Sequence, residues 1–204
     1  MLDNLAIDPS ALDAAFCEAA ANVFFPRATV SCKGGSAFRS QLARDLGCLL
    51  DVDDSVVGWS CLGFGFPVNG HPHITDFIVH YEDGTWAVVD AVEMKGHPDV
   101  AAATERLGIN YRFIPRCEIE RGSRLQNAKD MLRYARYRTP LNDRVRLLAA
   151  LEESGTMTIS DTFSLFREVQ PMTGISWLVL NRFIWVDLDE AVLGPDTTIR
   201  RFHR

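Results

Sequence analysis

No apolar run in the 204 residues approaches the ~20 needed to cross a bilayer, so nothing here reads as a membrane-spanning helix. The opening residues 1–6 lack the basic end and apolar core of a signal peptide, and a cytoplasmic location is the expectation. The five cysteines, Cys17, Cys32, Cys48, Cys61 and Cys117, are an odd number with no Cys-x-x-Cys pair. That argues against both a disulfide framework and a structural zinc site, and fits a reducing compartment. Cys17, Cys48 and Cys117 sit in apolar or strand contexts and read as core. Internal repeats and low-complexity tracts are absent. Lys33-Gly34-Gly35-Ser36 lacks the preceding residues of a phosphate-cradling loop and reads as a plain turn. His71 and His73 alternate on one strand, on the face opposite Asp76 unless a bulge intervenes. With His80 and His97 they read as surface residues rather than as a metal site.

What is present is an ordinary globular balance, 47% hydrophobic and 24% charged residues, in a length that allows one domain or two small ones. The formal net charge is −6, yet it is unevenly placed. Residues 1–115 carry 7 basic against 15 acidic side chains, whereas residues 116–204 carry 14 against 12. Eight basic residues fall between 121 and 148: Arg121, Arg124, Lys129, Arg133, Arg136, Arg138, Arg144 and Arg146. Only Asp130 and Asp143 oppose them there. Screening limits each charge to about 10 Å at ~0.1 M salt, so a local basic patch can hold phosphate on an acidic chain. Tyr134 and Tyr137 interleave with Arg133, Arg136 and Arg138, a mixture suited to phosphate binding and stacking. The alternative is a solvated, Arg-rich helix face.

Apolar spacing predicts helices over 10–24, capped by Ser10, and 36–50, with Phe38, Leu42, Leu46 and Leu49 on one face. Glycine-interrupted 56–66 reads as a strand, 67–72 as a turn, and 73–81 and 85–94 as a hairpin about Glu82-Asp83-Gly84. A helix over 99–107 stops at Gly108, and 109–114 is a further strand. The fold class is therefore α/β (α+β), with a mixed-sheet core over 1–120. After Pro115 the texture changes. Helices are expected over 127–137, 142–153, 160–167 and 171–181, then strands over 183–188 and 197–202. Val145, Leu148, Ala149 and Leu151 are expected to face inward. Three helices followed by a hairpin are the layout of a winged helix, placed with a basic linker helix in 121–204.

The segment Leu42-Ala-Arg-Asp-Leu-Gly-Cys-Leu-Leu-Asp-Val-Asp53 resembles the helix that opens the TnsA-like transposon endonuclease domain, a branch of the PD-(D/E)xK nuclease superfamily. Thr75-Asp76-Phe77-Ile78-Val79, with the Asp83-Gly84 turn, resembles that family's central hairpin, and Gly108 to Phe113 its next strand. The tail with Leu193-Gly194-Pro195-Asp196 is similar to winged-helix tails behind such domains. The resemblance covers most of the chain in order. It implies Mg²⁺-dependent phosphodiester cleavage, with two carboxylates on the metal and a Lys two residues after the second. In that family a helix Glu also contributes. Matched residue by residue, the Glu falls on Ala43, the first carboxylate on Asp76, the second on Asp90, and the Lys on Val92.

A second register recovers the motif, since Glu93-Met94-Lys95 is a literal Glu-x-Lys. A two-residue turn sets Asp76 opposite Ala91, with Glu93 and Lys95 on its face. A three-residue loop sets it opposite Asp90. The candidate catalytic residues are thus Asp76, Asp90, Glu93 and Lys95, and the candidate metal ligands Asp76, Asp90 and Glu93. The leading expectation is a binder of double-stranded DNA whose site is degenerate and needs no cofactor, acting as a regulator or assembly subunit. The first alternative is an active Mg²⁺ endonuclease using Asp76, Glu93 and Lys95. The second is an interaction module without a nucleic-acid role. The apolar helix 171–181, which has no Lys or Arg, is the expected surface for a protein partner or homodimer.

Overall fold

The structure is a computed structural model that describes residues 7–203. Residues 1–6, on which the signal-peptide reading rests, lie outside the described residues, as does Arg204. The chain divides into two compact units, Met1–Arg121 and Gly122–Arg204, and each described sheet lies within one of them. It is a mixed α+β protein. No described helix is long and apolar enough to cross a membrane.

In the first unit, α1 (Pro9–Ala20) is capped by Asp8, whose Oδ1 accepts the Ser10 N–H at 3.0 Å, so Ser10 is inside the helix rather than its cap. Helix α2 (Gln41–Asp51) starts later than its apolar spacing suggests. Ser40 Oγ accepts the Ala43 N–H at 3.0 Å and fixes the start there, which leaves residues 36–39 as a non-helical approach. Phe38 on that approach is buried against Trp59 and Phe77, at ring separations of 6.2 and 6.3 Å. Each such buried apolar side chain contributes about 1.5–3 kcal/mol.

The strands are β1 (Val56–Cys61), β2 (Gly65–Val68), β3 (His71–Ile74), β4 (Phe77–Tyr81), β5 (Trp86–Val92) and β6 (Tyr111–Pro115). Helix α3 (Pro98–Leu107) carries the crossover from β5 to β6, and α4 (Arg116–Ile119) follows. The main sheet has the order β1-β4-β5-β6, antiparallel except for the parallel β5/β6 pair, while β2 and β3 form a separate hairpin. The two long strands expected over 56–66 and 73–81 are both interrupted, and at facing points. Leu62 takes a left-handed φ of 53° and its N–H donates to Asp76 O at 3.0 Å, while Thr75 N–H donates to Phe64 O at 3.0 Å. The chain thereby leaves one sheet and enters the other.

The β4–β5 connection is the three-residue loop. Tyr81 N–H donates to Thr85 O at 2.9 Å, Gly84 has a φ of +81°, and Phe77 pairs with Val89 and His80 with Trp86. Continuing that register sets Asp76 across from Asp90. Strand β5 ends at Val92, so Glu93 and Met94, expected within it, lie beyond it.

The second unit contains α5 (Arg124–Leu132), α6 (Leu141–Ser154), β7 (Thr156–Thr158), a 3₁₀ turn (Ser160–Leu165), α7 (Pro171–Leu180), β8 (Ile184–Val186) and β9 (Thr198–Arg201). The sheet order is β7-β9-β8, antiparallel throughout. At three residues, β7 is too short to show an alternating pattern in the sequence. Helix α5 ends at Leu132 rather than 137, and a run of turns follows in which Tyr134 N–H reaches Met131 O and Tyr137 N–H reaches Tyr134 O. The inner stripe of α6 is Asp143, Leu147 and Leu151, so of the expected set Leu151 is buried and Leu148 half-buried. Val145 is 56% exposed and Ala149 is exposed, because Asp143 takes the inward position by hydrogen bonding three backbone N–H groups. Helix α7 buries Gly174, Ile175, Ser176, Leu178 and Leu180 within its own unit, so much of its apolar character serves this core.

Candidate functional site

Asp76 lies in the break between β3 and β4, and Asp90 lies on β5. Where β4 stops pairing, each carboxylate takes the place of a missing ladder bond. Asp76 N–H donates to Asp90 Oδ1 at 2.8 Å, and Ala91 N–H donates to Asp76 Oδ2 at 3.0 Å. Both residues are buried, at 6% and 4% exposure.

Three further side chains converge. Arg39 Nε and Nη2 donate to Asp76 Oδ1 at 2.9 and 2.8 Å, and Nη2 is 3.7 Å from Asp90 Oδ1. Arg39 is held between two anchors already described, buried Phe38 and the α2 cap Ser40. His73 Nε2 is 2.7 Å from Asp90 Oδ2, and the Tyr111 hydroxyl donates to the same oxygen at 3.0 Å. The His73 ring packs on Phe66 at 5.2 Å, above a cluster that includes Val100 and Ala103.

Burial raises the Asp76 carboxyl above its ordinary range and the Asp90 charge adds to this, while Arg39 and the Ala91 N–H oppose it. The Tyr111 hydroxyl is pushed up by burial and then by the Asp90 carboxylate, so it stays a donor. The arrangement is an ionic hydrogen-bond cluster with no nucleophile aligned beside a base.

Of the four positions carried from the nuclease resemblance, the structure brings Asp76 and Asp90 together. Ala43 is a buried methyl on α2, and Val92, half-buried at the end of β5, offers no cation. Glu93 and Lys95 do not join the pair. Glu93 is exposed and held in a two-point ion pair by Arg116, Nε to Oε2 at 2.7 Å and Nη2 to Oε1 at 2.8 Å, which keeps its carboxyl below the ordinary range. Lys95 is exposed beyond the strand end. Among the described residues no cluster of three or more His, Cys, Asp or Glu side chains is placed to hold a metal ion. A Mg²⁺ ion needs open carboxylate lone pairs in near-octahedral geometry; here every oxygen of the pair already accepts a protein donor, and the Arg39 guanidinium lies against both Asp76 Oδ1 and Asp90 Oδ1. The donor set as it stands does not fit the ion.

Sequence reasoning alone does not reach Arg39, His73 or Tyr111 as site residues. Apolar spacing puts Arg39 inside a helix, although Ser40 as a cap would place it outside. A continuous strand through Asp76 puts His73 on the opposite face, among loop and surface histidines. Tyr111 carries no signal of its own. Cys17 and Cys117, expected in the core, are exposed, whereas Cys48 is buried.

The eight basic residues differ in how they are engaged. Arg124 pairs with Asp189 at 2.8 Å. Arg144 lies over the rings of Trp177 and Phe183 at 5.5 and 5.3 Å, and Arg146 bonds Asp143 and the Leu165 carbonyl. Lys129 is half-buried. Arg133 is 68% exposed and 3.4 Å from Asp130, and Arg121, Arg136 and Arg138 are exposed. Tyr134 and Tyr137 sit with ring centres 6.4 Å apart within the same turns. No protein-family model matches the chain, and no curated protein matches it.

Proposed function

We propose that this chain is a double-stranded DNA-binding protein, built on a TnsA-like PD-(D/E)xK nuclease core that has lost cleavage, and that it works as a regulator or assembly subunit. The first unit supports the core: a helix, an antiparallel β1-β4-β5 set, then a helix leading to parallel β6. The second unit supports a winged helix, because β9 lies between β7 and β8 and two helical segments separate β7 from that hairpin. In that reading α7 is the groove-facing helix by position, and it has no Lys or Arg. DNA binding is therefore assigned to Arg133, Arg136 and Arg138, with Tyr134 and Tyr137 alongside.

One observation carries the loss of cleavage. The β4–β5 register sets Asp76 against Asp90 and leaves Val92 where the family's Lys would act. The test is supercoiled plasmid incubated with the full chain in Mg²⁺ and in Mn²⁺. The expected result is no nicking above a no-protein control. Nicking that disappears in Asp76→Ala would contradict the reading.

A further inference from the structure

Two apposed carboxylates in a dry site need positive charge nearby, because their repulsion is weakly screened there. In this site Arg39 meets that need from the solvent side. Its side chain is 42% exposed, and those of Asp76 and Asp90 are 8% and 6% exposed. Its guanidinium faces Asp76 Oδ1 directly and lies 3.7 Å from Asp90 Oδ1, so one cation serves both carboxylates. The remaining demand is met by donors that carry no fixed charge: the N–H groups of Asp76 and Ala91 and the Tyr111 hydroxyl, with His73 Nε2 beside them.

We propose that Arg39 is the resident cation of the Asp76–Asp90 pair, and that while seated it keeps the pair closed to divalent metal. A guanidinium suits this place better than a lysine would, because its rigid donor fork is always charged and weakly hydrated. The approach that carries it is anchored independently of the carboxylates, because Ala37 and Phe38 are buried and Ser40 caps α2, and the segment ahead of it is tied to α2 as well. Residues 26–31 are tied to α2 through Arg44, whose Nε and Nη2 donate to Pro26 O and Ala28 O at 2.7 and 2.8 Å. Asp51 Oδ1 accepts the Val30 and Ser31 N–H groups at 3.1 and 2.8 Å. Removing the Arg39 side chain therefore takes away the charge while leaving the backbone around the site braced. The inference deepens the non-cleaving reading and rests on it for the place of the pair in a nuclease-like core.

The test uses Mn²⁺ alone, without DNA, followed by electron paramagnetic resonance of the free ion, with circular dichroism as the check on folding. The parent chain is expected to take up no Mn²⁺ up to about 1 mM. Arg39→Ala is expected to bind one ion per chain at roughly 0.1–1 mM, the range of modest carboxylate sites. Arg39→Ala combined with Asp90→Asn is expected to lose that binding. Uptake by the parent as strong as by Arg39→Ala overturns the proposal, and so does a folded Arg39→Ala that binds none. Should Arg39→Ala not fold, Arg39→Gln is measured in its place. If neither folds with or without Mn²⁺, Arg39 is not exchangeable for a divalent ion and the proposal falls. Mn²⁺ uptake by a parent that does not nick plasmid removes this inference and leaves the non-cleaving reading standing, whereas nicking removes that reading by itself.

Discussion

Asp90 sits among Val88, Val89 and Ala91 on β5, and its two oxygens meet the Asp76 N–H, His73 Nε2 and the Tyr111 hydroxyl. Deleting the carboxylate leaves buried donors without acceptors, each costing about 1–3 kcal/mol, while deleting one donor costs about 1 kcal/mol because the acceptor keeps other partners. Urea unfolding should therefore show Asp90→Ala losing roughly 3 kcal/mol and Tyr111→Phe about 1 kcal/mol. Equal losses would show that Asp90 is not the hub of the cluster. At this scale the two carboxylates are legible as candidates from the hairpin and the family resemblance, while the turn that sets them opposite each other is decided only by the structure. Arg39, His73 and Tyr111 come from three other segments, and only tertiary closure brings them to Asp90. A pattern of strict alternation through 73–81 hides His73, since the break at Thr75 and Asp76 resets which face each residue occupies.

At the scale of elements, a hydrogen bond to a cap or a turn decides each departure from the periodic pattern. Ser40 shortens α2 at its start, Gly84 selects the three-residue loop, and Asp143 turns α6 about its axis. The last of these makes a prediction for the second unit. Asp143 is fully buried, and its carboxylate accepts the N–H groups of Arg167, Glu168 and Val169. Burial pushes its carboxyl up, but those three donors and Arg146 outweigh it and hold it below the ordinary range. A depressed carboxyl stabilises the fold fully above the unfolded carboxylate range, and that contribution fades as pH falls through the folded value. Thermal melts of the parent should thus drop on the acid side, and Asp143→Asn should melt lower at neutral pH with a shallower acid-side drop. A variant whose acid limb matches the parent would remove Asp143 from this role. Helix α7 shows that apolar composition can serve a core as well as a surface. Its apolar residues suggest a docking surface, yet Gly174 is pressed so closely by Phe166 that an added Cβ would lie 2.3 Å from the ring. That face is interior.

Over the whole molecule, charge remains the clearest signal in the sequence, with an acidic 1–115 and a mildly basic 116–204. Element order and the α+β class are legible because strands and helices alternate with marked turns. The size of the basic surface is not, because pairing and stacking consume charge that a residue count includes. Arg124, Arg144 and Arg146 are engaged within the second unit and Lys129 is half-buried, which leaves Arg121, Arg133, Arg136 and Arg138 exposed, and the proposed phosphate contacts are the last three, beside the two tyrosines. The direct measurement is fluorescence anisotropy of a labelled duplex titrated with the full chain at several salt concentrations. The parent and the Arg133→Ala, Arg136→Ala, Arg138→Ala triple variant are compared. DNA binding through these residues predicts weaker affinity of the variant for every duplex sequence and a salt slope smaller by roughly three, about 0.9 for each phosphate no longer neutralised. Identical affinity and slope in the two proteins would contradict it and leave the segment as a solvated connection.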